Sequence, residues 1–146
     1  MVMQIKIQNT GIDESIQSII EAFLSPFLNY AKVDISKLIY NQNERWVEIP
    51  LLRKRFRTKS TFLSKRFEYT SDEKQAILRI GEVENFQSYV EPFLFAEMNQ
   101  VFTILFGLKI DGNTLYLSSI EESQGKQACQ LRLSVTGINL ELFDIE

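Results

Sequence analysis

The chain has 146 residues, of which 45% are apolar, 12% aromatic and 24% charged, and its formal net charge is −3. This length and apolar share are typical of one globular domain and exclude a disordered tail, a collagen-like chain and a coiled coil. The chain has no histidine and one cysteine, Cys129. These counts exclude Ser-His and Cys-His nucleophile pairs, histidine-ligated zinc or haem, and multi-cysteine metal sites.

The single cysteine and the apolar stretches also indicate where the protein resides. Cys129 lies among alternating apolar residues, so we expect a small buried side chain, and one cysteine is typical of a reducing compartment. Residues 1–10 contain no secretory leader, and the most apolar stretch, residues 93–108, is short and interrupted by polar residues. We expect a cytoplasmic protein without a membrane span, cofactor or metal.

The N-terminal part of the sequence predicts a strand followed by a helix. Residues 1–8 alternate between polar and apolar, as in a half-buried strand. From Ile12 to Leu28 apolar residues then recur at spacings of three and four, which predicts one amphipathic helix. Thr10 or Asp13 caps its start, and Pro26 ends or bends it.

The middle of the chain predicts extended structure. Val33, Ile35 and Ile39 indicate a strand, which the polar residues 41–44 connect to a second strand over residues 45–52 as a hairpin. An extended region continues to Tyr69. A polar turn is predicted at residues 70–74, and another strand at residues 75–83.

Four further strands are predicted in the C-terminal part. They cover residues 102–110, 115–117, 129–135 and 138–142, and the short turns between them favour an antiparallel meander. Residues 91–100 fit a helix as well as a strand. The sequence therefore predicts a single α+β domain over residues 1–146, with one principal N-terminal helix and a predominantly antiparallel sheet of about six to eight strands.

The charges are distributed unevenly along the chain. Residues 53–67 contain seven basic residues and no acidic one, whereas the rest of the chain contains nine basic and 19 acidic residues. The net charge of −3 thus combines a segment of +7 with a remainder of −10. Such asymmetry favours an acidic partner or surface. Residues 53–67 are called the basic segment below.

An extended basic segment would place several cations on one face. Arg53, Arg55, Arg57 and Lys59 would then repeat about every 6.7 Å along a strand. With the later cations, they form the predicted partner-binding set: Arg53, Arg55, Arg57, Lys59, Lys65 and Arg66.

Two structural interpretations of the basic segment stay open from sequence alone. The cations can protect an exposed edge strand, or pair with acidic residues elsewhere in the domain. The aromatic residues of the segment also allow two interpretations. Nucleic-acid bases could stack on Phe56, Phe62 and Phe67, or Phe56 could belong to the core.

The favoured function is a non-catalytic protein-interaction or regulatory module that uses the basic segment against an acidic protein or a second copy of the chain. The first alternative is nucleic-acid binding by the same segment. The second is an enzyme with a carboxylate-based site, for which Glu82 and Glu84 are candidates. Two Ser-x-x-Lys spacings, at residues 71–74 and 123–126, are predicted to be turns, and no glycine-rich phosphate loop is present.

Overall fold

The structure is a computed structural model that describes residues 3–60, 65–90, 101–105, 107–121 and 126–145. Only the backbone is described at the strand ends 59–60, 65–67, 89–90, 120–121 and 126–129. The described residues form mostly antiparallel sheet with little helix, which agrees with the predicted class. Within these ranges, none of the helices has the length and apolarity that crossing a membrane requires.

Two antiparallel sheets contain the eleven described strands. The seven strands of the larger sheet, sheet A, are β1 Gln4–Asn9, β2 Lys32–Asp34, β3 Ile39–Asn41, β4 Trp46–Ser60, β5 Lys65–Ile80, β7 Val101–Thr103 and β11 Ile138–Asp144. The four strands of sheet B are β6 Val83–Val90, β8 Leu108–Asp111, β9 Thr114–Glu121 and β10 Lys126–Val135. The spatial order is β1-β11-β5-β4-β2-β7 in sheet A, with β3 on β4, and β6-β10-β9-β8 in sheet B.

The inward side chains of both sheets belong to one hydrophobic core. Leu78 of β5 and Leu142 of β11 are neighbours in sheet A, and Leu117 of β9 and Leu131 of β10 are neighbours in sheet B. All four side chains are fully buried and belong to the same cluster as Ile20 of the N-terminal helix. Buried and partly exposed side chains alternate along β11, as the period of two in a strand requires.

The N-terminal helix begins where the sequence predicts. Helix α1 covers Glu14–Phe23, and Asp13 caps it by accepting a 2.9 Å hydrogen bond from the Ile16 N–H. Pro26 lies in the first turn of a second, short helix, α2 (Ser25–Leu28), where proline is tolerated. The single predicted helix is therefore bent into two helices.

The predicted apolar face of α1 is wider than its buried face. Ile16 and Ile20 are buried, but Ile19 is 41% exposed and Phe23 is 64% exposed. Only part of the apolar stripe therefore packs on the core.

The predicted C-terminal meander is correct for three strands and wrong for the fourth. Strands β8, β9 and β10 pair in succession in sheet B. Strand β11, however, crosses to sheet A, where it lies between β1 and β5. The predicted strand over residues 102–110 is also divided between the sheets, into β7 and β8. A period-two pattern looks the same in either sheet, so it does not reveal a crossover.

The hairpin of β3 and β4 confirms the predicted turn at residues 41–44, although a 3₁₀ turn at Ile35–Lys37 separates β2 from β3. The turn predicted at residues 70–74 is wrong, because β5 continues through it. The register with β4 shifts instead: Lys54 pairs with Glu73, but Phe56 pairs with Tyr69. The first Ser-x-x-Lys spacing lies in this strand, whereas residues 91–100 and the second spacing at 123–126 fall largely outside the described residues.

Two glycines in left-handed conformation provide a test of the packing between α2 and β8. A Cβ at Gly107 (φ +65°) would lie 2.6 Å from the Ser25 Cβ, whereas a Cβ at Gly112 (φ +61°) meets nothing within 4 Å. We expect Gly112→Ala to lower the free energy of unfolding by about 1–2 kcal/mol through backbone strain alone. Gly107→Ala should cost about 1–3 kcal/mol more, because Ser25 must move. Urea unfolding of both variants measures the difference, and equal losses would contradict the packing.

Candidate partner-binding site

The basic segment lies on a two-stranded arm. The arm consists of residues 53–60 of β4 and residues 65–75 of β5, which pair with each other. Strand β2 pairs with β4 only at Leu51 and Leu52, and β11 pairs with β5 only from Ala76 onward. No further strand pairs with the arm in the part of the chain that the structure describes. The arm therefore extends beyond its neighbours in sheet A.

The arm concentrates positive charge. Residues 53–75 contain eight basic and three acidic residues, a net charge of +5, which leaves eight basic and 16 acidic residues, or −8, for the rest of the chain. The predicted asymmetry is thus reduced but retained when the strand that pairs with the basic residues is included.

Arg53 differs from its predicted role, because it points inward. It is 7% exposed, and its Nε and Nη2 donate to the two carboxylate oxygens of Asp144, each at 2.7 Å. Its guanidinium also lies 5.6 Å from the centre of the Phe27 ring. The prediction that Arg53 belongs to an exposed row of cations is therefore wrong, because its guanidinium is paired with Asp144 inside the domain.

Arg53 leaves the row just before the register shift, where Arg55 of β4 lies opposite three residues of β5, Thr70 to Asp72. Arg53 continues the inward parity of Leu51, but Phe56, three residues later, also points inward, against Phe27. Between them, Lys54 is half-buried and Arg55 is exposed. The Thr70 hydroxyl holds this bulge by donating to the Arg55 carbonyl oxygen at 3.3 Å.

Asp144 is a part of this site that the sequence interpretation missed. Burial by itself raises the pKa of Asp144, but the hydrogen bonds and charge of Arg53, with help from the Met3 backbone, lower the pKa overall. One signal was present in the sequence. The inward alternation of Leu140 and Leu142 continues to position 144, where a carboxylate requires a buried partner.

Among the basic residues of the arm whose side chains the structure describes, Arg55 and Arg57 are the exposed ones. Arg55 is exposed, and the Arg57 side chain is 72% exposed while it donates to Glu68 at 2.9 Å. The hydrogen bond and charge of Glu68 raise the pKa of Arg57. Lys54 is closer to the sheet, with its Nζ 3.5 Å from Glu73. Pairing with acidic residues of the domain, one of the two structural interpretations, thus applies to part of the basic segment.

The remaining predicted cations lie farther along the arm. Lys59 is directly opposite Arg66, and Lys65 is opposite Ser60. The backbone therefore places all six predicted residues on one ribbon, five of them beyond Arg53.

The inner face of the arm is fixed to α2 by aromatic rings. Phe56 lies 4.8 Å from Phe27 and 5.4 Å from Tyr69, measured between ring centres. The Tyr69 hydroxyl donates to the Pro26 carbonyl oxygen at 2.7 Å, and burial raises the pKa of Tyr69. Phe56 is therefore part of the packed interior. Phe62 and the side chain of Phe67 lie outside the described residues.

The carboxylate pair proposed for an enzyme does not form a desolvated site. Glu82 lies in the bend between β5 and β6 with φ +57°, is exposed, and accepts a 3.2 Å hydrogen bond from the Thr136 hydroxyl. Glu84 is also exposed. The described ranges contain no group of three or more His, Cys, Asp or Glu residues arranged to hold a metal ion. The side chain of Cys129 is outside the description.

The chain has no significant match among protein-family models, curated proteins or solved structures.

The ion pair predicts a specific pattern of stability changes. Removing one partner leaves the other charge buried and unpaired, so Arg53→Met and Asp144→Leu should each lower the free energy of unfolding by about 3–5 kcal/mol. The double variant removes both charges and should unfold within about 1–2 kcal/mol of the wild type. Urea unfolding of the four proteins measures the coupling. Additive losses would show that the two side chains do not depend on each other.

The same pair predicts how stability changes with pH. The pKa of Asp144 in the folded protein lies below its ordinary value of 3.8, so the ionised carboxylate stabilises the fold above that pH. This contribution is lost as the pH falls through the folded pKa. Relative to the Arg53→Met/Asp144→Leu variant, the wild type should therefore lose stability below about pH 4. A difference that stays constant throughout the acid range would contradict the ionised pair.

Proposed function

We propose that the protein is a non-catalytic interaction module whose arm binds an acidic surface of a partner protein. The observation that carries this proposal is the exposure of Arg55 and Arg57 on an arm of charge +5, attached to a remainder of charge −8. Lys59, Lys65 and Arg66 extend the same ribbon and complete the proposed contact. Complementary potentials of this kind accelerate encounter and select the partner.

The far end of the arm also favours the binding of an anion from outside the chain. The backbone register places Lys59 directly opposite Arg66, and two basic residues at opposite positions favour an anion from outside the chain. The arm therefore gains more from an acidic partner than a ribbon with alternating charges would.

Three observations favour a protein over a nucleic acid. Glu68 and Glu73 lie among the cations of the arm, which suits separate carboxylates better than an unbroken row of phosphates. Phe56 packs on Phe27 and Tyr69, so it is not available to stack on bases. The acidic remainder of the chain would also repel a long polyanion.

The proposal predicts that two arginines carry much of the affinity for an acidic polypeptide. We expect Arg55→Ser/Arg57→Ser to weaken binding of fluorescent polyglutamate by about threefold to tenfold at low salt, because exposed ion pairs contribute about 0.2–1 kcal/mol each. The control variant is Lys6→Ser/Lys109→Ser, which removes two exposed lysines outside the arm and causes the same change in net charge. Fluorescence anisotropy at about 50 and 200 mM salt measures binding.

The same three proteins distinguish the alternatives. Equal weakening in both variants would show that only net charge matters and would overturn the proposal. A duplex-DNA or RNA shift that the arm variant loses, with a reduced salt slope, would favour nucleic-acid binding instead. Salt-sensitive self-association of the wild type that the arm variant loses would identify the acidic partner as a second copy of the chain.

A further inference from the structure

An apolar groove lies on the outer face of sheet A, at the base of the arm. Its volume is about 290 Å³, and its lining includes Pro50, Leu52, Val101 and Ile145. Leu52 is 37% exposed, Val101 is 46% exposed and Ile145 is 42% exposed. The pairing of β2, β4 and β7 brings Leu52 and Val101 together, and the Ile145 N–H donates to the Gln75 carbonyl oxygen of β5 at 2.8 Å. Exposed apolar side chains gathered in one concavity are typical of a binding surface.

Charged side chains surround this apolar surface. Lys32, the β2 neighbour of Leu52, lies at its edge together with the exposed Lys37. Asp34 also lines the groove, but its carboxylate accepts hydrogen bonds from the Ser36 N–H and hydroxyl, at 3.0 and 2.6 Å. The groove therefore has two lysines at its edge beside the apolar side chains, and the carboxylate of Asp34 is engaged by Ser36.

The groove continues directly into the cationic arm. Leu52 and Lys54 share the outer face of β4, about 6.7 Å apart along the strand. Glu73 connects the two surfaces, because its Oε1 lies 3.4 Å from the Lys32 Nζ and 3.5 Å from the Lys54 Nζ. Although burial opposes it, these two lysines lower the pKa of Glu73. An extended segment lying along β4 would therefore contact the groove first and the arginines of the arm next.

We propose that this groove binds one large apolar side chain of the acidic partner. The ligand is thus an acidic protein segment in which an aliphatic or aromatic residue adjoins carboxylates. This inference rests on the proposed function, since the arm binds the carboxylates. Cavities that enclose drug-sized ligands span roughly 300–1,000 Å³, so a groove at the lower limit suits a single side chain. An apolar anchor within a charged rim is also the usual arrangement of interface hot spots.

Two peptides that differ only in the anchor test the groove. One is a short polyglutamate peptide with a central Leu-Phe pair, and the other has Ser-Ser in its place. We expect the wild type to bind the Leu-Phe peptide about tenfold more tightly, because the anchor loses apolar surface to the groove. In Leu52→Ser/Ile145→Ser the two peptides should bind equally, with the Ser-Ser affinity unchanged. Arg55→Ser/Arg57→Ser should weaken both peptides and keep their ratio, and the Lys6→Ser/Lys109→Ser control should retain the preference.

The outcomes separate this inference from the function on which it rests. Equal binding of both peptides by the wild type would overturn the proposed role of the groove and leave the proposed role of the arm unaffected. Unchanged binding of both peptides by Arg55→Ser/Arg57→Ser would overturn the proposal that the arm binds carboxylates. Wild-type self-association that the groove variant abolishes would show that a second copy, and not an acidic segment of another protein, occupies the groove, which also overturns the inference. Thermal unfolding checks each variant, and Val101→Ser replaces the groove variant if the latter fails to fold.

Discussion

Arg53 and Asp144 meet where β4 and β5 leave the body of the sheet, and the orientation of the arm depends on that contact. An inward-pointing guanidinium requires a partner because burying an unpaired charge is costly. Asp144 supplies two charge-assisted hydrogen bonds, both at 2.7 Å, and it is the last residue of β11, which itself lies between β1 and β5. Across the described residues, no buried side-chain polar atom lacks a hydrogen bond.

The register shift beyond this pair gives the arm two different faces. On the inner face, Phe56 and Tyr69 pack against α2, and the Tyr69 hydroxyl anchors the arm to the Pro26 carbonyl oxygen. On the outer side, Arg55 and Arg57 are exposed, and Lys54 lies next to the apolar groove. A regular alternation would instead have placed every second cation against α2. The bulge thus keeps the aromatic residues inside and the cations outside.

The proposed binding by a mostly solvated ribbon is compatible with this arrangement. The base of the arm is held by the ion pair and the aromatic rings, which would reduce the ordering entropy lost there on binding of the proposed partner. Exposed cations contribute chiefly to encounter and selectivity, since each surface ion pair is weak. Affinity then depends on an apolar contact, which is the role proposed for the groove beside Leu52. In this proposal the arm contributes selectivity and the groove contributes affinity.

Sequence alone determined the features that depend on neighbouring residues. The cap at Asp13, the hairpin of β3 and β4, the meander of β8 to β10 and the exposed positive charge at Arg55 and Arg57 all follow from local patterns. Tertiary structure decided the sheet to which β11 belongs, the continuation of β5 through a predicted turn, and the inward direction of Arg53. A period of two is the same whichever strand lies alongside, and a bulge or a buried ion pair exists only once a residue distant in sequence supplies the partner.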